Sequence, residues 1–196
     1  VDGVLGAEFT SRLAAARRGD EAGFTPLWRD LQPPLLRYLG VAAGAAAEDL
    51  ASETWARVVQ DLARFEGDEA GFRAWVFTIA RHRLLDWRRR EARTRAAPRP
   101  NDQLSHLGAA DDPATDALER VSTDEALALI ARLPADQAEV VMLRAVAGLD
   151  VARVATLVGK RPGAVRVLTH RGLRRLAELL AVDSPHDDPS PGVVTP

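Results

Sequence analysis

Residues 151–175 read VARVATLVGKRPGAVRVLTHRGLRR, and the reading of the whole chain starts from them. Val151, Val154, Ala155 and Val158 recur at the spacing of one helix face. Gly159 marks a tight turn, and Pro162 suits the first position of a second helix, where a missing N–H leaves no bond unmade. That helix places Val165, Leu168 and Leu173 inward and continues through Leu176. Arg161, Arg166, Thr169, His170, Arg171, Arg174 and Arg175 fall on its other faces. This is the pattern of a helix-turn-helix, whose second helix enters a DNA major groove. Arginine fits that role because its planar fork spans both acceptors of a guanine edge or pairs with phosphates. The bland alternative is a helical hairpin with a solvated arginine face; the near absence of acids there favours a polyanion.

Charge is segregated along the chain. The 26 cations and 28 acids give a net charge of -2, which describes no part of it well. From Arg73 to Arg99 the only acids are Asp86 and Glu91, whereas from Asp102 to Glu125 the only cation is Arg120. Lys160 to Arg175 is basic again, and from Asp183 on the acids have no Lys or Arg among them. A polyanion feels local charge rather than the chain average. Acid between two basic stretches raises the idea that Asp102 to Asp116 screens the arginines in the free protein.

Helical periodicity runs through most of the rest. Helices are expected over Glu8–Arg18, Phe24–Tyr38, Glu48–Phe65, Phe72–Arg95, Ala117–Leu133, Ala135–Ala147, Val151–Val158 and Pro162–Val182. Pro33-Pro34 should kink the second of these or split it in two. Trp75, Val76, Ile79, Leu84 and Trp87 are expected to face inward from the fourth. No periodicity survives between Ala96 and Ala114. The expected fold class is all-α, with two small helical domains at 1–96 and 117–182, a flexible acidic linker at 97–116 and a disordered tail at 183–196.

Several function classes lack the residues they need. There is no cysteine, which removes disulfides, thiolate metal sites and cysteine nucleophiles. His82, His106, His170 and His186 are scattered without metal-ligand spacing, and no glycine-rich phosphate loop or nucleophile motif occurs. No apolar run approaches the roughly 20 residues of a membrane span, and the first residues lack a signal peptide's order. The expectation is a cytoplasmic protein that is not an enzyme, with no cofactor, no metal, no membrane insertion and no small-molecule substrate.

In the first module, Asp49, Glu53 and Gln60 are spaced to share one helix face, which suits docking on a basic partner surface. The same acids also suit a helix N-terminus on dipole grounds. Phe65, Phe72 and Trp75 surround the loop from Gly67 to Gly71, where aromatics can capture an unstacked base. Trp75 at helical spacing also fits a core position. Arg81, His82, Arg88, Arg89 and Arg90 form a nucleic-acid candidate surface whose binding should weaken steeply with salt. Part of that cluster also suits a helix C-terminus.

These pieces, in order, resemble the extracytoplasmic-function group of sigma-70-type sigma factors. Residues 47–55, AEDLASETW, resemble the acidic, apolar, acidic opening of that group's core-binding helix. Phe65 followed by residues 72–81, FRAWVFTIAR, resembles its Trp-Leu-x-x-Ile-Ala-Arg signature, and residues 85–90, LDWRRR, its Asp-x-x-Arg-Arg. Leu133-Pro134, Val140 to Arg144 and Gly148-Leu149 resemble the opening of region 4, and residues 171–176, RGLRRL, its closing pattern. His82 stands where the group usually has asparagine, and residues 151–155 replace its usual Glu-Ile-Ala.

The resemblance implies a region 2 domain that grips core RNA polymerase and melts the minus-ten promoter element, and a region 4 domain that reads the minus-thirty-five element. It assigns core binding to Asp49, Leu50, Glu53, Trp55 and Gln60. Minus-ten contacts fall to Phe65, Phe72, Trp75, Arg81, His82, Asp86, Arg88, Arg89 and Arg90. Minus-thirty-five contacts fall to Arg161, Gly163, Ala164, Arg166, Val167, Thr169, His170, Arg171 and Arg174. It also implies an anti-sigma factor as a partner. The rival reading is a stand-alone helix-turn-helix regulator, which would need no second module with a core-binding helix.

Overall fold

The computed structural model describes residues 5–96 and 117–183. The expected linker at 97–116 lies outside them, as does the expected tail apart from Asp183, which closes the last helix. The described residues form eight α-helices and no strand. The first module holds α1 (Phe9–Arg17), α2 (Glu21–Ala43), α3 (Ala47–Asp61) and α4 (Glu69–Ala96). The second holds α5 (Ala117–Ala131), α6 (Ala135–Val141), α7 (Val151–Val158) and α8 (Pro162–Asp183).

α2 is one continuous helix, so the split expected at Pro33-Pro34 does not occur. Asp20 caps it, its side chain accepting from the Ala22 N–H at 2.9 Å. Pro26, Pro33 and Pro34 all lie within the helix, and each removes an internal bond. Pro26 leaves the Ala22 carbonyl without its helical donor, and Arg12 reaches that oxygen at 3.5 Å. Tertiary burial outweighs the local penalty: Leu27, Leu31, Leu35, Tyr38 and Leu39, at three- and four-residue steps, are all 2% exposed or less.

α3 and α4 pack against α2 and each other around Leu50, Ala51, Val58, Phe72, Val76, Phe77, Ala80 and Leu84. α4 begins three residues earlier than the sequence suggested, at Glu69, whose carboxylate accepts from the Leu5 and Gly6 N–H groups at 3.1 and 2.8 Å. Arg17 donates to the carbonyls of Leu62 and Phe65 and so fixes the turn between α3 and α4. Val76, Ile79 and Leu84 are buried as expected; Trp75 and Trp87 are only partly so, and Phe77 is fully enclosed instead.

In the second module the expected helix over Ala135–Ala147 loosens after Val141 into a wide π turn, Met142–Val146. Asp150 caps α7 by accepting from the Arg153 N–H at 2.8 Å. That bond holds the Asp150 carboxyl below the usual carboxylate range. Gly159, at φ 69°, closes α7 in the left-handed conformation that opens the turn to α8. The face of α8 turned to the core runs through Val165, Leu168, Gly172 and Leu176, so Leu173, expected inward, is 52% exposed. Gly172 takes the inward slot because α8 lies too close to α6 there for any side chain.

Candidate nucleic-acid interface

α8 carries its basic residues outward. Arg161, Gly163, Ala164, Arg166, Val167, His170, Arg171 and Arg174 are exposed, and Thr169 is half-buried, its hydroxyl donating to the Val165 carbonyl at 2.9 Å. Arg174 pairs with Glu178 at 3.0 Å on the same helix, a solvated contact of little weight. Val165, fully buried, anchors the N-terminal half of α8 against the second module's core. The helix therefore offers a rigid surface with its first two turns open to a groove.

α4 divides its candidate residues between two faces. Seven residues make about two helical turns, so Trp75, His82 and Arg89 lie along one stripe with Asp86 beside it. His82, Asp86 and Arg89 are exposed, and Arg89 pairs with Asp86 at 3.0 Å. Arg81 and Arg88 form a second stripe turned towards α2 and the other module. Arg88 donates to the Ala42 carbonyl at 3.1 Å, satisfying the end of α2. Arg81 is 19% exposed and donates from Nε to Glu139 Oε1 at 2.9 Å. Arg90, four residues beyond Asp86, lies on the far side of the first stripe from Arg81 and Arg88 and turns to α3, its Nη2 4.0 Å from Glu53 Oε2.

The aromatic residues beside this surface are stacked on one another. Phe65 lies 5.1 Å from Trp75 with the rings 28° apart, and 5.3 Å edge-on from Phe72. Phe72 is 2% exposed and also meets Phe9, and Phe65 is 8% exposed. Phe65 and Phe72 are thus core side chains that brace Trp75, the outermost of the three, and present no open face of their own. Arg73, within the basic run, is held by Asp30 at 2.6 Å in a largely enclosed pair. Burial outweighs the guanidinium there and raises the Asp30 pKa.

The candidate docking residues of α3 also separate by depth. Asp49, Glu53 and Gln60 are exposed along one stripe. Leu50 and Trp55 point the other way, 2% and 8% exposed, and the Trp55 indole donates to Gln32 at 2.6 Å. They shape α3 from beneath. Tyr38 and Glu139, which no sequence motif marks, meet between the modules: the Tyr38 hydroxyl donates to Glu139 Oε1 at 3.3 Å. Burial, reinforced by the Glu139 charge, pushes the Tyr38 pKa far up and keeps that hydroxyl a donor. They stand 101 positions apart, and no local pattern joins them.

Among the described residues no group of three or more histidine, aspartate or glutamate side chains is gathered to hold a metal ion. None of the described helices is long and apolar enough to cross a membrane.

Comparison with known proteins matches both modules. Residues 27–94 fit the family model of Sigma-70 region 2, and residues 123–176 that of Sigma-70 region 4. The ECF RNA polymerase sigma factor SigD of Mycobacterium tuberculosis is 32% identical over 182 residues, covering 89% of this chain and 85% of that protein. The ECF RNA polymerase sigma factor BldN of Streptomyces coelicolor is 33% identical over 171 residues, and the match spans only 64% of its length. In solved structures, the sigma factor RpoE in complex with the anti-sigma factor NepR from Bartonella quintana gives a TM-score of 0.63 at 24% identity, covering 82% of this chain and 98% of that one. CnrH in complex with the cytosolic domain of CnrY gives 0.60 at 20% identity, covering 88% and 97%.

Proposed function

Because the chain belongs to the extracytoplasmic-function sigma factors of the sigma-70 family, we propose that it binds core RNA polymerase through α3 and directs initiation at promoters read by α4 and α8. It is a transcription initiation factor rather than an enzyme. The observation that carries the residue-level reading is the arrangement of α3 and α4 as packed neighbours with separate exposed stripes. Asp49, Glu53 and Gln60 face outward on α3, and His82, Asp86 and Arg89 on α4. Polymerase held on the first stripe therefore fixes the second relative to the DNA.

In this reading Asp49, Glu53 and Gln60 touch the polymerase, with Leu50 and Trp55 setting the pose of their helix. Trp75, braced by Phe65 and Phe72, receives an unstacked base of the minus-ten element. His82, Arg89 and Arg90 take phosphates, and Asp86 orients Arg89. Arg161, Arg166, Val167, His170, Arg171 and Arg174 meet the minus-thirty-five element. Gly163, Ala164 and Thr169 let the backbone of α8 approach it. The region assignments are 1–96 and 117–182, and the protein acts in the cytoplasm, where polymerase and promoter are. An anti-sigma factor that covers these surfaces is the expected regulator.

Reconstituted transcription tests the reading. Added to core polymerase with genomic templates from the native host, the protein should yield discrete start sites. Neither core association nor defined starts would overturn it. Family membership favours this reading over a stand-alone regulator, which would instead bind palindromic DNA tightly as a dimer without polymerase. Co-purification from the native host identifies the anti-sigma factor.

A further inference from the structure

We propose that Glu139 is a latch that holds the two modules together in the free protein and withholds Arg81 from DNA. Glu139, on α6, is 18% exposed and accepts from two residues of the first module. Arg81 of α4 bonds to it at 2.9 Å and Tyr38 of α2 at 3.3 Å, and Tyr38 is 1% exposed. A carboxylate so enclosed is strongly tied to its partners, because removing one leaves the other charge desolvated and unpaired. Arg153–Asp68, at 3.7 Å and well exposed, adds a weaker second tie.

The rest of the contact is apolar, with Leu35, Leu39 and Leu84 in one buried cluster with Leu133, Ala138, Met142 and Leu143, but it is incompletely filled. A cavity of about 120 Å³ lies between the modules, lined by Tyr38, Leu84 and Arg88 on one side and Leu133, Ala138 and Glu139 on the other. Such a gap forfeits dispersion contacts for the residues that line it, beside Glu139. The charged contact is the interface's specific fastening. Loss of the Glu139 contacts therefore leaves only an incompletely filled apolar contact and one exposed ion pair to hold the modules closed.

Closure and promoter binding exclude each other on two counts, both resting on the sigma-factor reading above. Arg81 commits Nε and Nη2 to Glu139 and is only 19% exposed, so the closed form offers little of its guanidinium, and a neutralised charge, to a phosphate. Promoter elements centred about 25 base pairs apart lie roughly 85 Å apart on B-form DNA. A compact body of this size has a radius of gyration of only roughly 15 Å. The modules must part to occupy both elements, and the Glu139 contacts must break.

The test uses the full chain, which has no native cysteine. Exposed Ala56 and Ala177 are changed to cysteine and labelled, and the distance between the labels is measured by pulsed electron resonance. The parent should show one short distance. Glu139→Arg should shift most of the population to longer distances, and Glu139→Arg combined with Arg81→Glu should restore the short one. If the parent is already extended, or if Glu139→Arg retains the short distance with native helix content, the latch is wrong. Should Glu139→Arg lose helix content, Glu139→Gln serves instead, with a smaller lengthening expected and an unchanged distance overturning the idea. For masking, Glu139→Gln, which adds no cation, should bind minus-ten single strand more tightly in proportion to its gain in open population, roughly threefold. A lengthened distance in Glu139→Gln with unchanged DNA affinity rejects masking. No DNA binding by any variant points instead to failure of the sigma-factor reading, and the distance measurement still decides the latch.

Discussion

Gly172 and Val141 meet where α8 crosses α6: a Cβ built on Gly172 would fall 2.7 Å from Val141 Cγ2. The valine is β-branched and cannot swing aside freely. Replacing Gly172 with alanine improves helix propensity by about 1 kcal/mol. It also overpacks the contact at about 1–3 kcal/mol. The overpacking should win, lowering the stability of the second module by about 1 kcal/mol. Gly172→Val, which is larger and a poorer helix former, should lose several times more. Urea unfolding of both variants checks the order.

Phe72 and Trp75 lie three residues apart and should behave differently. Phe72→Ala empties an enclosed core position and should cost about 3–5 kcal/mol in thermal or urea unfolding. Trp75→Ala removes a partly covered ring stacked on Phe65 and should cost less, on the order of 1–2 kcal/mol. Its larger effect should be on strand opening, read as loss of permanganate reactivity at the minus-ten thymines. Equal stability losses with normal opening would reject the base-platform role.

Glu53 and Arg166 separate the two partners. Glu53→Ala should weaken core polymerase association roughly 3–10-fold and leave DNA binding by α8 unchanged. Arg166→Ala should cost about 1–3 kcal/mol in minus-thirty-five binding and leave core association intact. Binding titrations of each variant with each partner give the four values. A loss that falls on the same partner for both variants would contradict the assignment.

Asp150 makes the start of α7 sensitive to acid. Its folded pKa is depressed, chiefly by the Arg153 N–H bond. The stabilisation is therefore complete above the ordinary carboxylate value of about 3.9 and is lost as pH falls through the lower folded value. At neutral pH, Asp150→Ala should cost about 1 kcal/mol, and Asp150→Asn far less because asparagine also caps. The gap between parent and Asp150→Ala should narrow with acidification, measured by urea midpoints.

The helical class and the helix-turn-helix were legible because both rest on local periodicity and on turn residues such as Gly159 and Pro162. What misled was orientation within a helix. Leu173 looked like core because it is apolar at a plausible step, while the true inward slot belongs to Gly172, whose missing side chain leaves no hydrophobic signal. A glycine on the line Val165, Leu168, Leu176 was the clue available. The candidate sets on α3 and α4 mix depths. Sequence spacing does not distinguish Trp55, buried under α3, from Glu53 above it, and a tertiary pair such as Tyr38–Glu139 leaves no trace in either local pattern.

The three prolines of α2 carry a consequence for how this protein can be taken apart. A helix interior pays about 3 kcal/mol for such a residue, so α2 has little reason to exist without the partners that bury Leu31, Leu35 and Leu39. It is a borrowed helix, shaped by α1, α3 and α4 rather than by its own residues. A fragment ending near residue 44 should then be unstructured rather than a smaller native piece. A protease or chaperone that peels away one neighbour undoes the first module as a whole. Promoter reading by α4 and polymerase docking by α3 would disappear together, making the abundance of the factor an all-or-none property of each molecule.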